Sequence, residues 1–204
     1  MKFFKYISNI FLFLSIILIS LKLITDDNVS NQKHSILGNI NAPNVLIEYA
    51  SLSCVHCANF HNDRLPDIKK ALIDTGKLKY IYKDFPLDLP AMLASMVAKC
   101  YQDNQYYEVL NSLFKNQKKW VTSAKNKEEL YQKFHKILKQ HGITFDKIVS
   151  CTEESDANKV KWETILASRL EGQNLGVNST PSFFLNGKKL EGLVNLDLLL
   201  KHIY

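Results

Sequence analysis

The chain has 204 residues, of which 46% are hydrophobic and 11% aromatic, enough for one sizeable domain with a filled core. Only seven glycines, five prolines and four cysteines exclude the collagen-like, disordered and disulfide-knot classes. The formal charge is +6, but three of the 26 basic residues and none of the 20 acidic ones fall in the first 24 positions; the mild surplus that remains is spread along the chain, so no nucleic-acid partner is expected.

Lys2 and Lys5 precede an uncharged run from Tyr6 to Leu21, which ends at Lys22. A positive start followed by such a run is the secretory signal pattern, and the run is short for a membrane-spanning helix, which needs about 20 apolar residues. The stretch LISLKLITDD offers no pair of small residues to mark cleavage. Residues 1–24 therefore read as a signal peptide or an uncleaved signal anchor. Either way the working part is expected outside the cytoplasmic membrane, in the periplasm. There cysteines are disulfide-bonded, catalytic or both. Cys54, Cys57, Cys100 and Cys151 admit three pairings, of which Cys54-Val55-His56-Cys57 is a natural unit.

Residues 25–43 are polar and read as a linker with a short lead-in. Asn44–Ala50 (NVLIEYA) is strand-like, with one charge at its centre. Ser51 to Cys54 is a turn into a helix that runs to about Asp74, kinked by Pro66 and closed by Thr75-Gly76. Lys77–Phe85 (KLKYIYKDF) alternates at period two and is a strand. Strand, helix and strand at this spacing form a βαβ unit with a parallel pair. Five helical segments follow, at Ala91–Tyr101, Tyr106–Lys115, Lys127–His141, Phe145–Ser150 and Asn158–Glu171. After Thr180-Pro181 come two strand-like runs about Asn186-Gly187, a strong hairpin signal, and a closing helix from Val194 to Tyr204. The division is 25–86 and 173–204 as two parts of an α/β domain, with 87–172 as a helical domain inserted between them.

Cys54 follows a strand and opens a helix, where backbone N–H groups and the helix dipole favour negative charge. A thiolate there is stabilised, and its pKa is expected below about 8.5. His56, between the two cysteines, can add a donor or a positive charge. Stabilising the reduced form makes the disulfide a stronger oxidant. Cys57, one turn further in, is the shielded partner thiol. The rival readings are a static bridge or half a zinc site. A closed structural zinc site needs four ligands, and beyond His61 no fourth is close in sequence, so no metal or organic cofactor is expected. Thr180-Pro181 at the start of a strand reads, taken alone, as an ordinary trans turn proline; together with the CxxC, the order of elements and the Gly-Val-x-x-Thr-Pro phrase it reads as a cis bond.

The phrases VLIEYASLSCVHCANFH, KYIYKDFPLDL and GVNSTPSFFLNGKKLEG resemble the DsbA family of exported thiol–disulfide oxidoreductases. The residue style, rich in Lys, Ile, Asn and Tyr, is similar to DsbA proteins of intracellular alphaproteobacteria such as Wolbachia and Rickettsia. The resemblance implies an α/β thioredoxin fold with an inserted α-helical domain. It also implies that Cys54 is the exposed nucleophile, Cys57 its buried partner, and Thr180 with cis-Pro181 the loop that packs on the site and holds substrate backbone. Val55 stands where the best-known members carry proline, at a position that tunes oxidising strength. In the family an acid at the place of Glu48 lies beneath the site and passes protons to the buried cysteine. Lys83, in the neighbouring strand, is the expected partner of Glu48; the alternative is a Glu48 facing solvent at a sheet edge. With Cys54 and Cys57 committed to each other, oxidation leaves Cys100 and Cys151 to pair, and some alphaproteobacterial relatives are similar in carrying a second disulfide there. The alternative is two separate buried thiols.

The function implied is oxidation of newly exported, reduced proteins by a monomer, with a DsbB-like membrane oxidase restoring the disulfide. Two rivals remain at this point: a disulfide isomerase or reductase of the same fold, and a thioredoxin-like metallochaperone or binding module. The second would keep metal through purification or function without Cys54.

Overall fold

The computed structural model describes residues 36–121 and 126–203. The chain divides into two units, 1–34 and 35–204. The expected signal segment at 1–24 lies outside the described residues.

The second unit is built on a five-stranded mixed sheet: β1 (Ile36–Leu37), β2 (Asn44–Ala50), β3 (Leu78–Asp84), β4 (Ser182–Leu185) and β5 (Lys188–Leu190), in the order β1-β3-β2-β4-β5. β2 and β3 pair in parallel, as expected of a strand–helix–strand unit; β4 runs antiparallel to β2, and β5 to β4. The Asn186-Gly187 turn joins β4 to β5 with both residues at positive φ, 50° and 80°, the geometry that two-residue hairpins require. β1 was not legible in the polar lead-in. Ile36 and Leu37 form two residues of antiparallel edge against Ile81 and Tyr80, too short for a periodic signal.

Between β2 and β3 lie α1 (Val55–Asp63), α2 (Leu65–Ile68) and a π-helical turn over Lys69–Ile73. The break comes at Arg64, and Pro66 sits in the first turn of α2, where its missing N–H leaves no helical bond unmade. Gly76, at φ 73°, closes the unit while the Thr75 hydroxyl donates to the Ala71 carbonyl at 2.8 Å.

Between β3 and β4 the chain makes α3 (Leu89–Ala98), α4 (Asp103–Lys115), α5 (Lys127–Leu138), α6 (Phe145–Ser150) and α7 (Asp156–Asn174); α8 (Leu196–Ile203) follows the hairpin. Side-chain oxygens of Asp88, Asn126, Thr144 and Ser155 cap α3, α5, α6 and α7, each stabilising its helix by about 1 kcal/mol. Ala91–Ala98 of α3 are buried on every side, the pattern of a helix enclosed by its neighbours. Cys100 and Cys151 form a disulfide with Cα atoms 6.0 Å apart. It ties the residues after α3 to the end of α6.

Alternation divides the sheet. Leu46, Ala50, Tyr80, Tyr82, Phe183 and Leu185 face the main core with α1 and the helical block. Tyr49 and Phe184 face a smaller cluster with Phe85 and Val177. This is the thioredoxin-like fold with helical insertion, and it sets the loop at the end of β2 beside the loop that enters β4.

Candidate active site

Cys54 occupies the N-cap of α1 with extended backbone (φ −80°, ψ 121°), and its sulfur accepts the Cys57 N–H at 3.4 Å. The two thiols are unlinked, so the site is in its dithiol form. The Thr180-Pro181 peptide bond is cis, and the Cys54 thiol donates to the Thr180 carbonyl at 3.2 Å. Residues 126 positions apart thus meet at one sulfur.

The two thiols differ sharply. The Cys54 pKa falls to about 5, chiefly because the Cys57 thiol donates to it. The Thr180 hydroxyl and the N–H groups of Cys57 and His56 act in the same direction, against the opposing cost of burial. Cys57 is fully buried, and its pKa is pushed well up by that burial, by its bond to Cys54 and by the charge of Glu48. Only the thiolate is nucleophilic, so one sulfur is poised to attack while the other holds its proton. His56 contributes through its backbone N–H; the residue itself is exposed. Val55 beside it is 49% exposed.

Glu48 is completely buried on the central strand β2, which excludes the solvent-facing alternative. Lys83 is not its partner. In the parallel register Glu48 faces Tyr82, whereas Lys83 faces Tyr49. One residue of offset at period two puts Lys83 on the opposite face, where its ammonium donates to Glu171 of α7 at 3.0 Å. The partners of Glu48 are His61 Nε2, at 3.0 Å, and the Tyr80 hydroxyl, which donates to the same carboxylate oxygen. His61 lies four residues after Cys57, on the same face of α1; that spacing, with Tyr80 two residues before Tyr82, was the available signal for both. Gln117 is a further residue without a sequence signal. Its side-chain amide donates to the carbonyls of Leu52 and Cys54, both at 2.8 Å, so the helical block holds the backbone of the thiol loop.

A low-pKa thiol at a helix start, a buried high-pKa thiol one turn on, and a cis-proline loop against the first are the parts of a thiol–disulfide exchange site. The thioredoxin family model matches residues 30–203. A Rickettsia prowazekii protein carrying the name protein-disulfide oxidoreductase is 31% identical over 157 residues, covering 76% of this chain and 55% of its own length. The crystal structure of Wolbachia pipientis α-DsbA1 superposes with a TM-score of 0.71 at 30% identity, over 83% of this chain and 88% of that one. That of the thiol-disulfide exchange protein α-DsbA2, also from Wolbachia pipientis, gives 0.65 at 25% identity, over 87% and 89%. The chain belongs to the thioredoxin family and, within it, to the DsbA-like protein-disulfide oxidoreductases. It spans about half the length of the curated Rickettsia relative.

Proposed function

We propose that this protein donates the Cys54–Cys57 disulfide to reduced exported proteins. The carrying observation is the asymmetry of the pair: a Cys54 pKa of about 5 against a buried Cys57 whose pKa is pushed well up. A substrate thiolate attacks Cys54 Sγ, the Cys54–Cys57 bond breaks, and Cys57 leaves with the electron pair and takes a proton. A second substrate thiolate then attacks the substrate sulfur of the mixed disulfide and releases Cys54 as a thiolate. Two electrons pass to the protein. Each departing Cys54 thiolate is a good leaving group because its pKa is low, which favours the oxidising direction.

In this reading Thr180 and Pro181 hold the substrate backbone beside Cys54, and Glu48 serves the proton of Cys57. The protein acts as a monomer in the periplasm, released by or anchored through residues 1–24, and a DsbB-type membrane oxidase restores its disulfide. Export is supported by the sequence pattern of residues 1–24. Among the described residues no helix is long and apolar enough to cross a membrane.

The test is the equilibrium of the Cys54–Cys57 couple with glutathione, with Cys100 and Cys151 tracked by alkylation in the same samples. A strongly oxidising couple is expected. A couple as reducing as thioredoxin's overturns the oxidase reading in favour of a reductase or isomerase.

A further inference from the structure

The loop that carries the nucleophilic sulfur is gripped by one side chain of the helical block. Gln117 stands 63 residues after Cys54, in a short helical turn over Gln117–Lys119 that follows α4, and is 6% exposed. Its side-chain nitrogen lies 2.8 Å from the Leu52 carbonyl oxygen and 2.8 Å from that of Cys54. A neutral amide nitrogen carries two hydrogens, one for each of these acceptors. The opposite rotation of the amide would set its oxygen against two carbonyl oxygens, so the acceptors themselves fix which atom is nitrogen. A residue of the same length without those hydrogens, such as Met or an ionised Glu, could not make the pair of bonds.

Gln117 is itself anchored. Its own carbonyl accepts the N–H groups of Trp120 and Val121, both at 3.1 Å. Trp120 is completely buried, donates from Nε1 to the Leu113 carbonyl at 3.0 Å and meets the Phe134 ring of α5 edge-on. The two donors are thus fixed to the core of the helical block. At the other end of the grip, Cys54 is the N-cap of α1, and its carbonyl also takes the first helical N–H, from Ala58 at 3.1 Å. That carbonyl turns with the ψ angle of Cys54, the same torsion that aims the Cys57 N–H at the Cys54 sulfur. Holding the carbonyl holds the aim.

We propose that Gln117 is a positioning residue for thiol–disulfide exchange: by clamping the carbonyls of Leu52 and Cys54 it keeps the N–H groups at the start of α1 on the Cys54 sulfur, and it makes the reactivity of that sulfur depend on the docking of the helical block. This rests on the exchange reading above and deepens it. The benefit falls on the charged sulfur. When a second substrate thiolate takes the substrate sulfur from the mixed disulfide, Cys54 leaves with the electron pair. The clamped N–H groups then meet its charge without first having to reorganise. A thiol or a disulfide sulfur carries no such charge and gains far less. The clamp therefore favours the thiolate over both, and with it the oxidising direction. Gln117 acts through the backbone and not by touching the sulfur.

The first arm of the test uses the unsubstituted protein. Both Nε2 hydrogens of Gln117 are expected to exchange with solvent at least about tenfold more slowly than those of the exposed Asn62, in the dithiol and the disulfide forms alike. Exchange of either hydrogen as fast as at Asn62 overturns the proposal. In the second arm, Gln117→Met keeps the length and removes both donors. Its pH profile of Cys54 alkylation is expected to shift up by about one unit, and its Cys54–Cys57 couple to be about tenfold less oxidising against glutathione. Gln117→Glu, which sets a charged oxygen against the same carbonyls, is expected to shift the profile further. Gly172→Ala, which crowds the other face of the sheet, is the control for lost stability alone, and its profile is expected to stay in place. Gln117 variants whose profiles match the unsubstituted protein, or a Gly172→Ala profile that moves as far as theirs, overturn the proposal. If neither Gln117 variant folds, the hydrogen-exchange arm decides. A Cys54 of the unsubstituted protein that alkylates as an ordinary thiol removes the thiol–disulfide exchange reading instead, and leaves the protection of the Gln117 hydrogens as it was.

Discussion

Thr180 meets Cys54 through two groups with opposite preferences. Its carbonyl accepts from the thiol at 3.2 Å and so favours the protonated sulfur. Its hydroxyl is buried without a hydrogen-bond partner while Cys54 is a thiol, and it becomes a donor once the sulfur is a thiolate, which lowers the Cys54 pKa. Thr180→Val keeps the carbonyl and the shape of the side chain but removes that donor. A hydrogen bond to a charged group contributes about 1.5–3 kcal/mol, part of which the other donors recover, so the Cys54 pKa is expected to rise by about one unit. The pH dependence of Cys54 alkylation measures it, and an unchanged profile would show that the backbone N–H groups and Cys57 suffice. Cys54, Cys57, Thr180 and Pro181 were legible because each is a residue type placed at a strand or helix end that local sequence marks. Glu48 was half legible. A charge in an apolar strand announced it, but its partner depended on which side chains of β3 share its face. His61 and Tyr80 come from two different elements, and only the packed register brings them to one oxygen.

At the scale of elements, the second face of the sheet depends on how closely α7 approaches it. Gly172 permits that approach: a Cβ there would lie 2.8 Å from Cδ1 of the Tyr49 ring and 3.1 Å from the Phe85 ring. Tyr49 cannot easily yield, because it is buried and packs edge-on against Phe184 with centroids 5.7 Å apart. Gly172→Ala gains up to about 1 kcal/mol in helix propensity and loses about 1–3 kcal/mol to overpacking. With two aromatic rings crowded at once the overpacking wins, and a net destabilisation of about 1 kcal/mol is expected. The denaturant midpoint decides; a stabilised variant would mean that α7 can shift outward freely. Helices and strands were read well where periodicity was long, as in Lys127–Leu138 and in the alternating β3. They were read poorly where tertiary contact decides, as in β1 and in the division of Val55–Ile73 into two helices and a π-helical turn. The close approach at Gly172 belongs to the same class, since nothing in the local sequence distinguishes a glycine that must be small from one that need not be.

For the whole molecule, the thiol asymmetry becomes a dependence of folding stability on pH. Cys54 titrates near pH 5 in the folded dithiol form and near about 8.5 in an unfolded chain. Its folded pKa is depressed, so its stabilising contribution is complete above the unfolded value and is lost as pH falls towards 5. At pH 7 the contribution is about 2–3 kcal/mol, a fair fraction of the 5–15 kcal/mol typical of a whole domain. Cys57 works in the other direction. Its folded pKa is raised, so it leaves stability unchanged below about pH 8.5 and lowers it above, where the unfolded chain ionises and the fold does not. The reduced protein should therefore gain stability relative to a reduced Cys54→Ser variant between pH 5 and 8, and the difference isolates Cys54 from the other groups that titrate in that range. Denaturant unfolding at several pH values in the presence of a reductant measures it. A difference that stays flat with pH would mean that the fold does not favour the thiolate. The same outcome would weaken the oxidase reading, because stabilisation of the reduced state and oxidising power of the disulfide are one free energy seen from two sides.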